Sequence, residues 1–203
     1  MKLLKFTCCL LFFVAMSSIT HSSMAQTNGS ELPYRIIPDY PDSYTPETVA
    51  ARMIDGLGFR YYWATEGLRQ EDLEFRPTEE ARSSFETLVH IYGLSRTIRL
   101  AVEQKINDGS NADTPEDYEG LRKATLENLW AASELLKSGK VKLEDCNMVF
   151  KRGERTSEYP FWNTINGPIA DAIWHCGQVV SFRRSSGNPF NSKVSVLAGT
   201  VRE

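Results

Sequence analysis

Asp171 and His175 lie four residues apart in the stretch DAIWHCGQVVSFRR, which runs from Asp171 to Arg184. On a helix that spacing stacks the carboxylate and the imidazole on one face. Divalent transition metals take imidazole nitrogen and carboxylate oxygen, and a catalytic site keeps one position open for water. A third protein ligand must then come from a facing helix. The chain has 3 histidines, of which His21 falls in an N-terminal leader, so His90 is the one remaining donor of that type. A site of His90, Asp171 and His175 therefore requires the helix that carries residue 90 to lie beside the one that carries residues 171 to 175.

The spacing alone leaves a plainer reading open. An acid in the first turn of a helix is favoured by the dipole, and both histidines can be satisfied core residues. Gln178, one turn beyond His175, either orients a ligand or closes the pocket as a polar residue. Cys176 points about 100° away from His175 around a helix, which makes it a poor ligand and a poor nucleophile partner. Trp162, Trp174 and Phe182 read as core. Arg183 and Arg184 suit a helix C-terminus, or one of them binds a substrate carboxylate. The sequence shows no Ser-His-Asp set, phosphate-binding loop or paired catalytic carboxylate that would compete with a metal.

The N-terminus reads as a secretory signal peptide over residues 1–25. Lys2 and Lys5 precede an apolar run from Leu10 to Met16, and Ser23-Met24-Ala25 gives small residues at the cleavage positions. The run is too short to span a membrane, so a periplasmic or secreted protein with no membrane insertion after cleavage is expected. Cleavage would remove two lysines and no acid, taking the net charge from −3 to −5. Such acidity offers no electrostatic case for nucleic acid. Cys146 and Cys176 then remain, either as a disulfide that an oxidising compartment permits or as buried free thiols.

Helix signals follow a lead-in over residues 26–44. Thr45-Pro46-Glu47 is an N-cap, an N1 proline and a first-turn acid, opening a helix of about 24 residues through Leu68. Ser83-Ser84-Phe85-Glu86 is a capping box, and the apolar period continues to about Ile106, where Asn107-Asp108-Gly109 stops it. Thr114-Pro115-Glu116 repeats the first cap ahead of a third helix ending near Ser138-Gly139. Residues 140–159 read as a crossover or small hairpin. Asn166-Gly167-Pro168 starts the last helix or kinks one begun near Phe161, and the helix runs to about Arg184. Four long helices with one long connection before the last predict an all-α four-helix bundle over residues 45–190, followed by a tail over residues 191–203.

The order of two segments resembles the DinB/YfiT-like superfamily of four-helix bundles. Leu73-Glu74-Phe75-Arg76-Pro77 followed by Ser84-Phe85-Glu86-Thr87-Leu88-Val89-His90 is similar to the family's approach to its first metal histidine. Trp174-His175-Cys176-Gly177-Gln178, then Arg183-Arg184 and Gly187-Asn188-Pro189, is similar to its last-helix signature. The resemblance implies metal ligation by His90 and His175, with Asp171 at a position where the family usually has histidine. An anionic oxygen there shifts preference toward harder metals, or marks a degraded site. It implies zinc or nickel, with manganese or iron as alternatives, a small-molecule substrate or ligand, and a homodimer. The activity expected is that of a metal-dependent hydrolase; the alternatives are a thiol-dependent transferase, which export disfavours, and a non-enzymatic bundle that binds a metal or small ligand.

Overall fold

The computed structural model describes residues 31–109 and 113–203. The signal-peptide expectation for residues 1–25 lies outside them. Among the described residues no helix is long and apolar enough to cross a membrane.

Helix α1 spans Pro46–Thr65. Thr45 Oγ1 accepts the Thr48 N–H at 3.2 Å, and Thr48 Oγ1 accepts the Thr45 N–H at 2.8 Å, so two orphan donors are satisfied reciprocally. It stops three residues short of the expected Leu68, because Glu66 turns extended and Gly67 takes a φ of 68°. The polar connection that follows holds a short helix, α2 (Gln70–Glu74). Helix α3 (Ser84–Val102) starts on the predicted capping box, with Ser83 Oγ and Glu86 Oε2 exchanging backbone N–H bonds. Its end corrects the sequence reading: Gln104 turns the chain with φ 55°, and Ile106–Asp108 forms strand β1 instead of continuing the helix.

Helix α4 (Tyr118–Lys137) is capped by Asp117, whose Oδ1 accepts the Gly120 N–H at 2.7 Å, and not by the Thr114-Pro115-Glu116 segment. The predicted C-terminal glycine, Gly139, has φ 70°. The crossover contains strands β2 (Met148–Arg152) and β3 (Arg155–Tyr159), paired antiparallel, with β1 parallel to β2. Arg152 pairs with Arg155, so Gly153 and Glu154 form a two-residue turn. The glycine at φ 59° supplies the positive φ that the first turn position requires. After α5 (Phe161–Thr164), residues Ile165–Ile169 make a π-helical turn, and α6 runs over Ala170–Ser185. A last hairpin pairs β4 (Val194–Ser195) with β5 (Thr200–Val201).

The molecule is thus mostly helical with small sheets, and the strands correct the all-α expectation. The β-branched and aromatic run Val149-Phe150, next to a turn glycine, outweighs helix propensity in a segment that no helix face claims. Among the long helices, α1 packs on α4 and α6, and α3 packs on α4 and α6. Ile54 and Leu57 of α1, Leu88 and Ile91 of α3, Leu126 and Leu129 of α4, and Ala172 and Val179 of α6 are all fully buried between them. The lead-in is tied over this core. Tyr34 is buried, its hydroxyl donates to Asp55 at 3.0 Å, and its ring lies where a Cβ on Gly58 would have to be.

The C-terminal carbonyls of α1 are satisfied by other helices. Arg183 of α6, only 4 % exposed, donates to Trp63 O at 3.2 Å and Ala64 O at 3.0 Å. Arg122 of α4 donates to Tyr62 O and to the carboxylate of Glu66, and the Tyr118 hydroxyl donates to Thr65 O. Two guanidinium groups at the negative end of the α1 dipole are favourable by charge as well as by hydrogen bonding. Arg183 is also held by Asn188 Oδ1 at 3.1 Å, while Asn188 Nδ2 and Ser186 Oγ donate to the buried Asp72. Arg183 is therefore a structural lock, while its neighbour Arg184 is exposed.

Burial opposes ionisation of Asp72, but hydrogen bonds from Arg69, Ser186 and Asn188 outweigh it and hold the carboxyl well below the usual carboxylate range. A folded-state pKa below the unfolded value of about 3.9 contributes stability that is present above that pH and is lost as pH falls through the folded value. Asp72→Asn is expected to lower stability at pH 7 by about 2 kcal/mol. In urea titrations at pH 7 and pH 3 the gap between variant and wild type should narrow at the lower pH.

Candidate metal centre

Helix α6 presents Ala172, Cys176, Val179 and Arg183 to the core at three- and four-residue spacing. His175 and Asp171 stand on the flank of that stripe, toward α3. Trp174, two positions from Ala172 and so about 200° around the helix, faces solvent and is 74 % exposed. Trp162 is likewise 75 % exposed, so both tryptophans depart from the core role expected of them. Phe182 is half-buried and packs on Phe75 with ring centroids 5.7 Å apart.

The π-helical turn controls what α6 shows. Gly167 leaves helical geometry with φ −92° and ψ −106°, and Pro168 is buried inside the turn without an N–H to donate. The extra residue shifts the phase of α6 relative to α5, so Asp171 enters the first turn of α6 facing α3. His90 lies in the second turn of α3, which packs on both α6 and the π-helical turn.

The three residues meet. His90 Nε2 is 3.1 Å from Asp171 Oδ2, and His175 Nε2 is 3.4 Å from Asp171 Oδ1. The imidazole rings stand edge to face with centroids 4.6 Å apart. One donor atom from each residue falls within 4.8 Å of the others, and among the described residues this group is the one found that could hold a metal ion. Its exposure is uneven: the His175 side chain is 15 % exposed, those of His90 and Asp171 33 % and 43 %. The two histidines and the carboxylate therefore close one side and leave the other open to solvent.

Gln178 lies one turn along, with Oε1 2.6 Å from His175 Nδ1. An amide oxygen only accepts, so the imidazole donates its Nδ1 proton there. With that proton on Nδ1, Nε2 faces an Asp171 oxygen at 3.4 Å, a contact made attractive by a cation or by a second ring proton between the two atoms. The histidine is set up as an Nε2 donor by the pattern in which metal-ligating imidazoles give their other N–H to an oxygen.

Beside His90 a groove of about 530 Å³ is lined by Arg82, Val89, Gly93, Leu94, Phe150 and Pro168. Phe150 comes from β2, so the crossover contributes a wall next to the site. The short apolar run inside an otherwise charged segment was the sequence signal for it. Cys146 and Cys176 are both free and buried. Burial pushes the Cys146 thiol up to about 11 and the Cys176 thiol up to about 12, so neither is a thiolate at neutral pH. Comparison of the chain with protein-family models, curated proteins and solved structures finds no match.

The Gln178 bond makes a spectroscopic prediction. In ¹⁵N-detected histidine spectra His175 is expected to carry its proton on Nδ1 and to show a pyridine-like Nε2, and Gln178→Leu should shift the tautomer toward Nε2–H. A wild-type Nε2–H tautomer would contradict the arrangement.

Proposed function

We propose that the chain is an exported DinB/YfiT-like four-helix-bundle protein that binds a divalent transition metal through His90, Asp171 and His175 and acts as a metal-dependent hydrolase on a small molecule. The observation that carries this reading is the pairing of His175 Nε2 with an Asp171 oxygen at 3.4 Å while Gln178 takes the Nδ1 proton.

Two neutral imidazoles and one carboxylate suit zinc or nickel, and manganese or iron to a lesser degree. Such an ion supplies Lewis acidity, lowering the pKa of water and polarising an electrophile. The residues around it divide the remaining work. Asp171 holds the two imidazoles in register by facing both, and Gln178 fixes the rotation of His175. The open flank at His90 and Asp171 favours a catalytic arrangement over a purely structural one, since structural sites are closed by protein ligands on all sides. The adjoining groove gives a substrate apolar contacts on Val89, Leu94 and Phe150, with Arg82 and Glu86 supplying one charge of each sign at its edge.

Elemental analysis of protein prepared without an affinity tag tests the reading. About one equivalent of metal is expected per chain, with His175→Ala and His90→Ala each weakening affinity more than about 100-fold and Gln178→Leu about 10- to 100-fold. Asp171→His, which restores the family's usual donor, should retain the metal. A chain that takes up no zinc, nickel or manganese would end the metal-based reading.

A further inference from the structure

On the side of α6 away from the metal group lies a second cavity, of about 350 Å³, between α1, α6 and the C-terminal hairpin. Gly177 follows His175 by two residues and so stands about 200° around the helix from it, which places the cavity and the metal group on opposite faces of α6. The inner wall is apolar, made by Phe59 of α1 and by Cys176 and Val180 of α6. Phe190 and Val194 close the outer side. That outer wall is fixed, because the hairpin is fastened to the lead-in: Ile37 N–H donates to Gly199 O at 2.9 Å, and Gly199 sits so close to Ile37 that a Cβ there would come within 2.8 Å of it.

Polar chemistry enters at two points only. Arg60 and Arg184 line the cavity, and among its described lining residues there is no carboxylate. Arg60 donates one N–H, from Nη1, to Gly56 O at 2.9 Å, which anchors its stem and leaves the rest of the guanidinium fork available. Two cations without a neutralising acid stand out on a chain whose net charge is −3. Gly177 is exposed in the middle of the helical wall, and a Cβ placed on it would meet nothing within 4 Å. A mid-helix glycine costs about 1 kcal/mol relative to alanine, so packing within the protein does not explain it, whereas open space for a ligand does.

We infer that this cavity is a binding site for a single-chain fatty carboxylate, with the acyl chain against Ile173, Val180 and Phe190 and the carboxylate on Arg60 and Arg184. The apolar walls supply affinity by burying chain surface, and the paired guanidinium groups select an anionic head over a neutral or cationic one. The site is independent of the metal group, which shares α6 but no residue with it.

Calorimetric titration of the full chain with decanoate, below its micellisation concentration, tests this against decyltrimethylammonium, which has the same chain and the opposite charge. Saturable binding of one decanoate with at least tenfold weaker binding of the cation is expected. Gly177→Leu, whose Cβ meets nothing within 4 Å and whose side chain projects into the cavity, should abolish decanoate binding. Arg184→Gln should weaken it about tenfold, the scale of one charge-assisted hydrogen bond. Both variants should keep the wild-type circular dichroism spectrum and metal content. Equal affinity for the two amphiphiles, unchanged binding in Gly177→Leu, or no binding to the wild-type chain would overturn the inference. So would concentration-dependent self-association abolished by Gly177→Leu, since the occupant would then be a second copy of the chain.

Discussion

The buried guanidinium of Arg183 sets where the last helix stands. A charge this enclosed is tolerated only when its hydrogen bonds are met, and they are met by the terminal carbonyls of α1 and by Asn188, which in turn binds Asp72. Those partners lie on three different segments, so a slide or rotation of α6 would strand a buried charge. The axial position of α6 is fixed at this end, and His175 is carried eight residues away, about 12 Å along the axis. At the other end the π-helical turn at Ile165–Ile169 absorbs the residue that does not fit a continuous helix between Phe161 and that lock. The pair of constraints brings Asp171 and His175 opposite His90.

Within that frame the His90–Asp171–His175 group shows a division between rigid and open parts. His175 is the most buried of the three and is held by Gln178, whereas His90 and Asp171 face solvent and the groove beside β2. Preorganisation of the innermost donor with access from the outer side is what a site that exchanges ligands requires. The opposite face of α6 repeats the theme with different chemistry. There an apolar trough with a glycine at its centre and arginines at its edge replaces the acid and imidazoles. One helix thus carries two surfaces, and the core stripe of Ala172, Cys176 and Val179 lies between them.

Much of the helical frame was legible because it is written in local chemistry. The N-cap at Thr45, the capping box at Ser83 and the glycine after α4 are short-range signals with a physical cause, and the structure places those ends accordingly. The juxtaposition of His90 with Asp171 and His175 followed from donor type and helix pairing, and the three side chains do lie together. The strands were less legible. β1 follows the last apolar position of the α3 period, Ile106, and its Asn107-Asp108 reads locally as a helix stop; its partner comes from β2, some 40 residues away, so nothing local marks it as a strand. The exposure of Trp174 was missed for a similar reason: the phase of α6 depends on the π-helical turn, and a kink at Pro168 does not announce how much rotation it introduces. The Arg183 lock was hidden because a C-terminal arginine is adequately explained by the helix dipole alone.

The central claim is that a transition metal binds between α3 and α6 with Asp171 still serving as a ligand. Anomalous diffraction from crystals soaked in zinc or nickel tests it most directly. The account predicts one strong peak with His90 Nε2, His175 Nε2 and an Asp171 oxygen each at about 2.0 to 2.2 Å, and His175 Nδ1 still facing Gln178. A fully loaded crystal with the peak elsewhere, or with Asp171 turned away from the ion, would contradict it.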